Sequence, residues 1–172
     1  SVAVRGAPGS GITLQVSGLD EDLPTITATT TPLPPATGWQ QAPVTVRFRC
    51  ADRTSGILSC PASSTVATAG AQQTITGTAV DRAGNTATQA VTLNIDTTPP
   101  DLAPSVDPAP NSRGWHKTPV TVRFAATDSL SGVAVVTPPV TVTAEGANRG
   151  VSGTATDRAG NSSTVSATVN ID

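Results

Sequence analysis

Residues 38–96 and 114–172 align without a gap at an offset of 76, and 28 of the 59 paired positions are identical. Self-similarity at a fixed period means that one structural unit is made twice. Each copy must therefore close its own core from roughly 75 residues, a size at which little apolar surface can be buried. The two copies are closest at "GTAVDRAGNTA" (77–87) and "GTATDRAGNSS" (153–163), where an acid, a base, glycine and an amide recur in one order. Either an active site is present twice or one turn is.

Periodicity argues for strands. "PVTVRF" (43–48 and 119–124) alternates apolar and polar residues, which sets Val44, Val46 and Phe48 on one face and Thr45 and Arg47 on the other. That is the pattern of a half-buried strand. "GILSC" and "GVAVV", "STVAT" and "VTVTA", "QTITGTAV" and "RGVSGTAT", and "TATQAVTLNI" and "SSTVSATVNI" supply further short strands separated by turn residues. With the extended, proline-rich segment ahead of each Gly-Trp, each unit has six or seven. Short alternating strands at close spacing bury one face only by pairing two sheets, so an all-β fold of two tandem antiparallel sandwiches is expected, spanning 22–97 and 98–172. Composition agrees. Aromatic content is 2%, there is no Met or Tyr, and the abundance of Thr, Val and Ala favours strand over helix.

The start of the chain resembles a third, partial copy over 1–21. "ITLQVSGLDEDL" (12–23) matches "VTLNIDTTPPDL" (91–102) at an offset of 79, which places Ile12, Leu14 and Val16 on Val91, Leu93 and Ile95. These three residues belong either to the last hairpin of a preceding repeat or to a strand donated to a neighbouring molecule's sheet. The expectation is a window on a longer array.

Charge and cysteine usage narrow the partners. Net charge is −2 with no long basic or acidic block, which argues against nucleic acid or an anionic membrane. No apolar run approaches the roughly 20 residues of a bilayer span, and the first residues lack the form of a signal peptide, so any export signal would lie upstream. Cys50 and Cys60 stand ten apart without CxxC spacing or a second Cys or His group nearby. They read as a disulfide, and hence as a chain from an oxidising compartment.

The order "GW…PVTVRFRCAD..SGI..CP…ITGTAVDRAGN…VTLNIDTTPP" resembles the bacterial Ig-like repeats of secreted and surface proteins, including adhesins, stalks and accessory regions of extracellular enzymes. The resemblance implies the sandwich fold and an extracellular location; function within that group varies with the host protein. It implies the Cys50–Cys60 bridge in the first copy only, because the second carries Ala126 and Val136.

Candidate chemistry has a structural reading at each position. "DRAGN" lies between two strand patterns, where Gly84 and Gly160, followed by Asn85 and Asn161, allow the positive φ of a tight connection, and Asp81 and Asp157 can accept backbone N–H bonds one or two residues ahead. Asp52 and Asp128 open "DRTSG" and "DSLSG" in the same way. Calcium is the sharper alternative, since related adhesin repeats carry it at domain junctions; the candidates are Asp96, Asp101 and Asp107, with Asp20, Glu21 and Asp22 at the earlier junction. His116, in "GWHK", has no second ligand or triad partner close in sequence and reads as a solvated side chain. Trp39 and Trp115 read as packing over one end of the sandwich, with a sugar platform as the rival. "NSS" at 161–163 has the form of a glycosylation acceptor but reads as part of the turn.

The linker "IDTTPPDLAP" (95–104) should be stiff, because its prolines fix φ and push their neighbours to extended conformations. End-to-end sandwiches would make an array of such units a rod. The functional expectation is a non-catalytic extracellular spacer, stalk or filament segment without cofactor, whose partners are neighbouring repeats or identical subunits. A module recognising a glycan or host receptor through its end loops is the alternative.

Overall fold

A computed structural model describes residues 2–5, 13–16 and 19–172. Among them every regular element is a strand. β1 (Val2–Arg5) and β2 (Thr13–Val16) form a hairpin in which Val4 pairs with Leu14 and Val2 with Val16. Ile12 lies outside the described residues. The first copy then supplies β3 (Thr25–Thr31), β4 (Val44–Ala51), β5 (Ile57–Ser59), β6 (Ser64–Val66), β7 (Gly70–Asp81) and β8 (Thr86–Ile95). The second repeats the set as β9 (Asp101–Asp107), β10 (Val120–Thr127), β11 (Val133–Val136), β12 (Val140–Val142), β13 (Gly146–Asp157) and β14 (Ser162–Ile171).

Each copy makes two three-stranded sheets, ordered β3-β4-β6 and β5-β7-β8 in the first and β9-β10-β12 and β11-β13-β14 in the second. The strands expected from alternation are all present, and β7 and β13 each reach 12 residues. The chain divides into two compact units, 1–30 with 45–64 and 74–91, and 31–44 with 65–73 and 92–172. Their boundary crosses β3, β4, β6, β7 and β8.

The linker is shorter than its prolines suggest. β9 begins at Asp101, so only Asp96–Pro100 lies outside a strand. Pro104 sits within β9 opposite Phe124. This is compatible with pairing because β9 is an edge strand, where a missing N–H need not break the ladder. Asp101 and Asp107 therefore mark the two ends of β9 and are exposed.

The second unit shows how so few aromatics make a core. Val120 and Val122 from β10 meet Val151 from β13 and Ala167, Val169 and Ile171 from β14, with Val106, Phe124 and Val142 closing the sides. Two sheets thus share one layer of β-branched side chains, as in a β-sandwich. The phenyl ring of each copy needs a hole. A Cβ on Gly153 would lie 2.5 Å from the Phe124 ring, and one on Gly77 would lie 2.7 Å from that of Phe48. In both copies the phenyl ring packs flat on a glycine of the opposing sheet.

Cys50 and Cys60 are joined, with Cα atoms 5.8 Å apart, and the bridge links the end of β4 to the segment just after β5. In the second copy Ala126 and Val136 stand at these positions, half-buried. A loop of about ten residues closed in this way is worth on the order of 2–3 kcal/mol. Two outcomes are expected in thermal melts. Gly153→Ala should cost about 1–3 kcal/mol by displacing the Phe124 ring. Cys50→Ala with Cys60→Val, which copies the second repeat into the first, should lower the first repeat's stability by about 2–3 kcal/mol and leave the second unchanged.

Candidate functional site

The acidic side chains singled out in the sequence converge, but not in the sets expected. In the first unit the carboxylates of Asp20, Asp52 and Asp81 lie within 4.8 Å of one another, and in the second those of Asp96, Asp128 and Asp157 do the same. Each trio draws on a residue ahead of the copy's first strand, the loop after the copy's second strand, and the end of its longest strand. Asp101 and Asp107, on the exposed ends of β9, are in neither trio. Glu21 and Asp22 are also outside them, and Asp22 donates its N–H to Asp20 at 3.0 Å.

Asp157 ends β13 and is 2% exposed. Its Oδ1 accepts the N–H groups of Gly160 at 2.7 Å and Asn161 at 2.8 Å, and its Oδ2 accepts Nδ2 of Asn161 at 2.8 Å. Asp81, fully buried at the end of β7, repeats this with Gly84 at 2.7 Å and with the N–H and Nδ2 of Asn85, each at 2.8 Å. The donors lie three and four residues ahead rather than one or two, because the chain turns through a glycine at φ 99° (Gly84) or 100° (Gly160) before its N–H groups point back. Asp52 gathers the N–H groups of Thr54, Ser55 and Gly56 at 3.1, 2.9 and 2.8 Å. Asp128 gathers those of Leu130 and Gly132.

The third member ties the copies together. Asp96 is the last residue of the first aligned repeat. Its Oδ2 accepts the N–H of Ser131 at 3.0 Å, its Oδ1 that of Thr98 at 3.0 Å, and its carbonyl accepts Nδ2 of Asn161 at 2.8 Å. Asp20 makes the equivalent bonds to Ser55 N–H (2.9 Å) and Asn85 Nδ2 (3.0 Å). This corrects the register of the partial copy: from Asp20 onward the offset is 76, pairing Asp20 with Asp96 and the buried Pro24 with the buried Pro100. Matching apolar residues at period two cannot detect such a slip, whereas a carboxylate with fixed partners can.

Among the described residues, five of the six oxygens in the second trio accept hydrogen bonds, Oδ2 of Asp128 being the exception. Burial pushes the Asp96 carboxyl up, but the Ser131 hydroxyl and the N–H groups of Thr98 and Ser131 outweigh it and hold the group below the usual carboxylate range. Burial likewise raises Asp81, and the Asn85 side chain with the N–H groups of Asn85, Gly84 and Ala83 more than reverse it. The negative charge is thus held by oriented backbone dipoles.

In hardness and charge each trio fits a divalent cation, and the residues that could hold one are Asp20, Asp52 and Asp81, or Asp96, Asp128 and Asp157. The hydroxyl of the buried Ser131 is 3.5 Å from Asp128 Oδ1, a weak contact beside those made by backbone N–H groups. His116, the sole histidine, pairs with Ile171 at the opposite end of β14 from the Asp157 turn.

His116 is 5% exposed, not solvated. Its N–H donates to the Asn170 carbonyl and its carbonyl accepts the Asp172 N–H, which draws the position into the sheet just as Gln40 is drawn in by Asn94 and Asp96. Trp39 is half-buried and lines a 390 Å³ hollow with Pro32, Leu33, Pro35 and Ala159. In "NSS", the Asn161 amide is engaged by Asp157 and Asp96, and Ser163 donates to the Pro100 carbonyl at 2.7 Å.

Sequence reading overlooked Asn94 and Asn170. Asn94 accepts the N–H of Gln72 at 2.8 Å and donates to the Gly38 carbonyl at 3.3 Å; Asn170 does the same with Asn148 and Gly114 at 2.7 and 3.0 Å. Gln72 and Asn148 have φ of 54° and 55°, so each asparagine secures a left-handed kink. Its identity in both copies was the available signal.

Comparison with protein-family models finds no match, and comparison with curated proteins finds none.

Asn161→Ala removes two bonds, one to a carboxylate, and should cost about 2–4 kcal/mol in a thermal melt. The lowered Asp81 and Asp96 values carry a sign: stability from these carboxylates is present above their unfolded value and is lost as pH falls through the folded one. Melting temperature should therefore decline below about pH 4, and Asp96→Asn should flatten that decline when melts are followed from pH 6 to 2.

Proposed function

We propose that this chain is a tandem Ig-like segment acting as a non-catalytic extracellular structural repeat, a spacer, stalk or filament element that transmits load between neighbouring repeats. The observation that carries this reading is the clamp built twice from Asp20 or Asp96 onto the serine loop and Asp-Asn turn of the following copy. A residue closing one repeat is bound through side chain and carbonyl by the next, so tension on the backbone meets fixed hydrogen bonds where a bare linker would yield. The Cys50–Cys60 bridge supports an oxidising compartment. Among the described residues no helix is long and apolar enough to cross a membrane.

Single-molecule stretching tests the reading. Two discrete unfolding events are expected, each releasing roughly 25 nm of chain at about 3.5 Å per residue. The event for the disulfide-bonded copy should be shorter by about ten residues, and Asp96→Ala should lower the force of one event. Featureless extension at low force would remove the proposal.

A second reading, calcium at the junctions, is favoured by the carboxylate trios. Extracellular calcium modules bind at about 10⁻⁴–10⁻³ M. If calcium is held, 5-fold excess over that range raises the melting temperature reversibly with chelator, and Asp128→Asn abolishes the rise. If backbone donors alone hold the trios, the melting temperature is indifferent to both.

A further inference from the structure

The outward face of the β3-β4-β6 sheet differs between the copies in a way the shared fold does not require. Along β4 the alternation that buries Val46 and Phe48 turns Arg47 and Arg49 outward, and both are exposed. Being two apart on a strand they are about 6.6 Å apart along it and on one side. Neighbouring β3 presents only threonines outward, Thr25, Thr27, Thr29 and Thr31. Three of these hydroxyls donate to β4 carbonyls, Thr25 to Ala51 at 2.8 Å and Thr27 and Thr29 to Arg49 and Arg47 at 3.5 Å. The result is a hydroxyl-bearing sheet face from which two exposed arginines project on the same side of one strand. No ion pair to either is present among the described residues.

The same positions in the second copy read differently. Asp101 and Asp107 replace Thr25 and Thr31, Ala125 replaces Arg49, and Arg123 alone matches Arg47. Over β3 and β4 the outward charge is +2, against +1 − 2 = −1 over β9 and β10. In a chain of net charge −2, this sheet face is thus cationic in the first copy and not in the second, among the described residues.

We propose that this face of the first copy binds an anionic polysaccharide, through Arg47 and Arg49 acting on adjacent sulfate or carboxylate groups. Guanidinium groups recognise planar and tetrahedral oxyanions in paired geometry, and a hydroxyl-lined sheet face suits a hydroxyl-rich linear polymer. Nucleic acid fits less well, because among the described residues the outward positions of β3, β4 and β6 hold no aromatic side chain to stack an unpaired base. The inference goes beyond the load-bearing role and does not depend on it.

The test uses the whole chain. Binding at 50 mM salt is followed by fluorescence anisotropy with heparin as the sulfated probe, polygalacturonate as the carboxylate probe, neutral dextran, and a 20-base-pair DNA duplex. Binding to one or both anionic glycans that is lost by 0.5 M salt, with dextran inert and DNA weaker, is the expected result; whichever glycan binds identifies the oxyanion. Arg47→Ser with Arg49→Ala should weaken it about tenfold or more, and Arg49→Ala alone, which copies Ala125, should give part of that loss. Both variants should melt like the parent because the side chains are exposed. Equal binding by parent and double variant, equal binding of dextran, stronger binding of DNA, or no binding of either anionic glycan would overturn the proposal.

Discussion

A buried carboxylate that receives the N–H groups of its own turn is the interaction on which this molecule rests. Asp81 and Asp157 are nearly inaccessible to water, and three donors each offset the hydration their carboxyl groups lose. Burying a charge without such partners is prohibitive. With them, the carboxylate holds the glycine turn, the turn holds the hairpin β7-β8 or β13-β14, and the amide of Asn85 or Asn161 is left pointing at the carbonyl of Asp20 or Asp96. Turn, hairpin and junction are thus one connected network, in which losing any member strands the others.

Hydrogen bonding carries this weight because the apolar core is thin. Valine, alanine and isoleucine fill most of it, and the phenyl rings fit only over glycine. A domain with so little aromatic area depends on local closure, and the copies achieve it differently: by a covalent bridge at Cys50 and Cys60 in one, and by Ala126 and Val136 in the other. The asparagines Asn94 and Asn170 do at the far end of the long strands what the aspartates do at the turn, binding a strained backbone to a neighbouring loop.

Much of this was legible beforehand. Alternation located the strands from β4 and β10 onward in each copy, and "DRAGN" lies at a turn between two long strands in both. Three features were not. The carboxylates meet in trios spanning more than 30 residues of sequence, which no local spacing encodes; Asp101 and Asp107, attractive beside the linker, point away on an exposed strand. His116, polar and flanked by a lysine, is buried because backbone pairing with Asn170 and Asp172 pulls it inward whatever its side chain. The partial first copy changes its offset from 79 at Leu14 and Val16 to 76 at Asp20, a step that period-two apolar patterns cannot show.

Sequence by itself determined the element type, the duplication and the position of each tight turn, because those follow from steric preference and side-chain alternation acting over a few residues. Which acids gather, which asparagine reaches the preceding copy's last carbonyl and which polar residue goes inside were decided only by the tertiary structure. These are long-range matters: a hydrogen bond between residues 65 apart, such as Asn161 to Asp96, exists only after two sheets have packed and brought their loops to the same end.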